Sequence, residues 1–187
     1  SAFYGGVRRA RVSSQCWKHA MREMFEETFD ESELSERTLK IVEKVAEKIC
    51  LIKDIDMEEA KKLAEKIINQ AGISTKNYEA KALFFMSNKQ AENLARMAIM
   101  DPLPSKKEVQ AALNAGKGIE IALFGRMVAD EPSLNSDASA QVAHAISTHK
   151  AENEYDYYTA IDDRLPEGQQ GAGMIGTIEF NSSTLYR

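Results

Sequence analysis

Helix-start signals crowd the centre of this chain, and strand-like stretches hold its two ends. Asp56 with Glu59, Ser87 with Gln90, and Ser105 with Glu108 each place a short polar residue three positions before a side chain that reaches back, the capping-box spacing. Each opens a segment with apolar residues at helical period. After Asp56–Glu59 the stripe is Ala60, Leu63, Ala64, Ile67 and Ala71, with Gly72 as the stop. Another helix is expected over Glu36–Cys50, with Leu39, Val42, Val45, Ala46 and Ile49 inward. Pro102 and Pro104 separate the last two helices of this block, and Gly116 closes it. A helical block over Glu31–Gly116 between strand-bearing flanks predicts an α+β protein with a helical insertion.

The flanks carry different signals. Residues 1–13 read as a basic loop with Gly5-Gly6 as its pivot. Ser13 and Ser14 are N-cap residues for a helix to about Phe29, with Trp17, Met21, Met24, Phe25 and Thr28 along one stripe. Ile119, Ile121 and Leu123 predict a strand to about Met127. Asp137 then caps a predicted helix to Thr148, and Lys150–Asp163 reads as an aromatic-rich strand. Leu165–Gly173 reads as a flexible connection, and Ile175–Phe180 as a last strand.

Charge matters by position rather than by sum. The net charge of -5 taken alone argues against a nucleic-acid partner. Yet every charged residue from Ser1 to Arg22 is basic (Arg8, Arg9, Arg11, Lys18, Arg22), and every one from Glu23 to Glu36 is acidic. Guanidinium groups, the hydroxyls of Ser13 and Ser14, the Gln15 amide and a helix N-terminus suit sugar-phosphate oxygens and ignore base identity. A solvated basic loop with an ordinary cap is the bland alternative. Two cysteines, Cys16 and Cys50, give neither a disulfide framework nor an ordinary zinc site. The sequence carries no run of about 18 apolar residues and no signal-peptide stretch at its start, so a soluble cytoplasmic protein without a membrane partner is expected.

Catalysis is the competing class. Asp162-Asp163 with His144 and His149 suggests a metal-dependent nuclease site. On a helix, however, residues five apart lie about 140° apart, and adjacent strand residues face opposite sides. A third reading is an assembly module without RNA contact, whose acidic Glu23–Glu36 block docks on a neighbour's basic surface.

Three stretches together resemble one family. They are Phe3-Tyr4-Gly5-Gly6-Val7-Arg8-Arg9-Ala10-Arg11-Val12-Ser13-Ser14-Gln15 with the helix through Arg22; Ala122-Leu123-Phe124-Gly125-Arg126-Met127 followed by Gln141–Lys150; and Tyr157-Tyr158-Thr159-Ala160-Ile161-Asp162-Asp163 followed by Gly171–Arg187. In order and spacing they are similar to CasC, the repeated backbone subunit of type I-E CRISPR Cascade. The resemblance implies an RRM-like (ferredoxin-like) palm, helical fingers and a β-hairpin thumb. Residues 1–30 and 117–149 would form a partial palm, 31–116 the fingers, 150–176 the thumb, and 177–187 a return to the palm. It also implies a fragment, without the family's N-terminal strand and C-terminal part. Cys16 and His19 stand where the family would carry serine and arginine or lysine.

The function so implied is non-catalytic, without metal or organic cofactor. The protein would polymerise along CRISPR guide RNA, with further copies of itself head-to-tail and other Cascade subunits as partners, and target DNA met indirectly. Arg8, Arg9, Arg11, Ser13, Ser14, Gln15, Lys18 and Arg22 would hold phosphates. Met127 would wedge against the guide, and Tyr158 with Ile161 would act from the thumb tip. Related type III proteins cut RNA with an aspartate, to which no residue of this sequence corresponds.

Overall fold

The computed structural model describes residues 1–161 and 172–187. In chain order the strands β1 (Ala2–Tyr4), β2 (Val7–Arg9) and β3 (Arg11–Val12) lead into helix α1 (Ser14–Thr28). Strand β4 (Ser35–Thr38) and helices α2 (Ile41–Ile52) and α3 (Met57–Gln70) follow. Next come β5 (Thr75–Lys76), β6 (Glu79–Ala80), β7 (Phe84–Ser87), and helices α4 (Asn88–Ala98), α5 (Lys106–Asn114) and α6 (Ile119–Phe124). The last strands are β8 (Ala145–Ser147), β9 (Glu154–Ile161), β10 (Ala172–Phe180) and β11 (Leu185–Tyr186). Helices and small antiparallel sheets mix, so the fold class is α+β. Among the described residues no helix is long and apolar enough to cross a membrane.

The chain divides into two compact units, 1–19 with 142–187 and 20–141. The second holds the helical core. Ile41, Val42, Val45, Ala46 and Ile49 of α2 meet Ala60, Ala64, Ile67 and Ile68 of α3, and Ala91, Leu94, Ala95 and Ala98 of α4. Alanine at so many packing positions lets the helix axes approach closely. The caps form as their sequence requires. Asp56 accepts from the Glu59 amide, and both Ser87–Gln90 and Ser105–Glu108 close full capping boxes. Gly72, at a φ of 96°, follows α3 where a side chain would be strained.

The first unit holds the β1–β2 hairpin, a three-stranded sheet in the order β11-β8-β3, and the long antiparallel pair β9–β10. In that sheet Arg11 faces Ile146 and Tyr186 faces Ile146, so the three occupy one row on one face. The opposite face includes Ala145 and Ser147, both buried.

Four expectations are corrected. Residues 1–13 form a hairpin and a strand rather than a loop, because Gly5 and Gly6 both take positive φ and reverse the chain in two residues. Residues 36–38 belong to β4, not to the second helix, which begins at Ile41; the Glu36, Arg37 and Thr38 backbones pair with Met86, Phe85 and Phe84. The strand expected from Ile119 is helix α6. Its consecutive residues Glu120 and Ile121 are both buried, as a strand with one solvated face would not allow, and Glu120 accepts the Ser35 amide at 2.8 Å. The helix expected over Asp137–Thr148 is absent. Ser139 and Ala140 instead donate to the Ala122 and Leu123 carbonyls at the end of α6, and Ala145–Ser147 becomes the central strand β8. The expected strands near Lys81–Met86, Lys150–Asp163 and Ile175–Phe180 correspond to β7, β9 and β10, with shifted bounds. Asp162 and Asp163, and most of the Leu165–Gly173 connection, lie outside the described residues.

Candidate nucleic-acid interface

In the first unit, strand alternation sorts the N-terminal arginines. Arg8 is exposed, whereas Arg9 turns inward and is half-buried. The Arg9 guanidinium donates to the Tyr4 carbonyl at 2.9 Å and to the Ser147 carbonyl at 2.8 Å, so it fastens the hairpin to the sheet. Arg11 is exposed on the Ile146–Tyr186 row, with Tyr186 76% exposed. Among the described residues, neither Arg8 nor Arg11 has a carboxylate partner. Both therefore present guanidinium forks that no described carboxylate shares.

The start of α1 is less open than its sequence suggests. The Ser13 hydroxyl accepts from the Cys16 amide at 3.1 Å, the expected cap. The Ser14 amide, a donor that an anion would use, donates instead to His144 Nδ1 at 3.0 Å. Gln15 remains exposed, while Lys18 is half-buried and already engaged. The Arg187 guanidinium covers the Trp17 ring at 4.8 Å, and Trp17 marks the helix face turned from solvent.

On β9, Tyr158 faces Gly176 across the pair. A Cβ at that glycine would run into the tyrosine ring, so the ring lies flat on bare backbone with 41% of the residue exposed. Ile161 closes β9 opposite Ala172, its side chain outside the described residues.

The second unit holds the other two predicted RNA-binding residues. Arg22 is half-buried, its guanidinium 5.0 Å from the Phe85 ring centre. Met127 is 84% exposed. With exposed Leu83 it lines a shallow, mostly apolar cleft that also includes Ile73, Phe84 and Val128, with Lys81 and Asp130 among its polar lining. Beside it Arg126 is buried, and desolvation pulls its pKa down to about 10, so it remains cationic at neutral pH.

His144 and His149 do not converge on a metal. His149 accepts from the Thr184 amide at Nε2 and lies 2.7 Å from the Lys150 carbonyl through Nδ1, a bond in which the ring donates. Among the described residues no three His, Cys, Asp or Glu side chains could share an ion.

Sequence reasoning passes over Tyr186, Arg126, Asn135 and the His144 acceptor. Cross-strand register alone reveals Tyr186. Arg126 is visible only as part of the Gly125-Arg126-Met127 motif, and nothing local marks a buried arginine.

A family model described as CT1975-like protein matches residues 1–187. No curated protein matches the chain. Among solved structures, a chain of a "CRISPR RNA-guided surveillance complex, pre-nicking" is similar at 26% identity and a TM-score of 0.73, over 98% of this chain and 56% of that one. A chain of a "CRISPR RNA-guided surveillance complex" is similar at 25% identity and a TM-score of 0.64, over 80% of this chain and 51% of that one. The present chain thus spans little more than half the length of either.

Proposed function

The chain belongs to the CT1975-like protein family, and from that premise we propose that it is part of a non-catalytic RNA-binding backbone subunit of a Cascade-type CRISPR surveillance complex. The subunit polymerises along the guide, copy to copy, beside other Cascade subunits, and holds the phosphate backbone whatever the base sequence. Target DNA is met indirectly, through the guide bases it presents. The observation that carries the reading is similarity over 98% of the chain to a subunit of an RNA-guided surveillance complex. The first unit's sheets would belong to an RRM-like palm and β9–β10 to a thumb.

Chemistry supports the same reading. Arg8 and Arg11 present exposed guanidinium groups, which fork onto phosphate oxygens without reading bases. Arg9 fastens the hairpin that carries Arg8 to the sheet that carries Arg11. Met127 is the wedge, and Tyr158, flat on Gly176, presents a ring face to a base step.

The test is fluorescence anisotropy of the intact chain with two unrelated single-stranded RNAs at two salt concentrations. Similar affinities that fall steeply with salt are expected. A strong preference for one sequence, or no binding at the lower salt, overturns the reading.

A further inference from the structure

Met127 is the most exposed large apolar side chain in the protein's described residues, yet the backbone around it is fixed on both sides. On its N-terminal side, Gly125 takes a φ of 75° so tightly against the neighbouring segment that a Cβ would lie 2.7 Å from the Ser136 carbonyl. The Arg126 amide donates to that carbonyl at 2.9 Å, and the Ser136 amide donates back to the Arg126 carbonyl at 2.8 Å. The Arg126 guanidinium then reaches inward to the Leu134, Phe85 and Leu113 carbonyls at 3.1–3.2 Å and to the Gln90 side-chain oxygen at 3.4 Å. On the C-terminal side, the Val128 amide donates to Asn135 Oδ1 at 2.6 Å, and Val128 packs against the helical core.

From this geometry we infer that Arg126 and Asn135 are positioning residues, which fix the backbone on either side of Met127 so that its thioether meets RNA as a set wedge. The inference rests on the proposed meeting of Met127 with RNA. A methionine chain rotates about three bonds, so a wedge built from it loses affinity to ordering. Anchoring its neighbours removes the backbone share of that cost before RNA arrives. The chemistry recognised is a stacked base step of single-stranded RNA, into which an unbranched apolar side chain can press without reading the base.

The experiment is a double-mutant cycle on the full chain, with Asn135→Ala, Met127→Ala and their combination. RNA affinity is measured where circular dichroism shows each variant folded, and amide hydrogen exchange is followed at Val128. Asn135→Ala is expected to speed Val128 exchange and to weaken RNA binding about fivefold. In the Met127→Ala background it should weaken binding no further. Arg126→Lys, which keeps the charge but not the fork, should show the same non-additivity. An equal loss in both backgrounds would mean a general structural role and would overturn the inference, as would unchanged affinity. If wild type binds RNA and Met127→Ala binds equally well, this inference falls together with the wedge role of Met127, while RNA binding by the chain stands. If wild type binds no RNA, the proposed function falls with it.

Discussion

Arg126 buries a formal charge among carbonyls, with the Phe84 ring centre 4.8 Å from its guanidinium carbon. Such a group is tolerable only while its donors are met. Removing it would take the guanidinium donor from the Leu134 and Phe85 carbonyls, at about 1–3 kcal/mol for each that water cannot reach, while the Leu113 carbonyl keeps the Gln90 side-chain amide and Gln90 Oε1 keeps the Ser87 amide. Arg126→Met, similar in bulk, is therefore expected to lower unfolding stability by about 3 kcal/mol or more, read as a shift in the urea midpoint. Arg8 and Arg11 are the opposite case, because solvent already satisfies them. Alanine at both should leave the urea midpoint nearly unchanged. It should flatten the dependence of log affinity on log salt by about 0.7 for each phosphate no longer neutralised. A salt slope equal to wild type would remove both arginines from the RNA-binding surface. The two kinds of arginine look alike in sequence, and only the strands around them decide which is structural.

Among elements, α4 shows what local chemistry can fix. Ser87 is buried, its Oγ accepting the Gln90 amide at 3.1 Å and donating to the Gly116 carbonyl at 2.5 Å. Ser87→Ala is expected to cost about 1–2 kcal/mol by the loss of the cap, measured by denaturant unfolding. A loss well under about 0.5 kcal/mol would show that the helix start holds without it. All three capping signals were legible because cap and partner lie three residues apart. The α2 and α3 stripes were legible for the same reason, although Ile41 and Ile68 joined the core unannounced. Strand β4 and strand β8 were not, since their backbone partners lie far along the chain. Helix α6 misled by alternating Ile119, Ile121 and Leu123 in a piece too short to display a helical period. The candidate interface divided similarly. Motifs name the arginines and Met127 as candidates, but which of those arginines is exposed, and the closure of the Ser14 amide by His144, required the fold.

At the scale of the whole molecule, the first unit is made from both parts of the chain, and β8 sits between β3 and β11. Shortening the chain before Val142 removes β8 and leaves β3 without its ladder. Such a truncation should lose protection of the Val12 amide, which faces Ala145 of β8, in hydrogen exchange while the helical core of residues 20–141 keeps its own; retained protection there would show that the sheet is dispensable. The boundary itself falls between His19 and Ala20, inside α1 rather than in a linker. Each stub left by a cut there is shorter than the roughly 12–15 residues an isolated helix needs to persist in water. Anyone dissecting this protein into separately expressed halves would unwind the very rod that both halves share, so a sound dissection leaves Ser14–Thr28 whole.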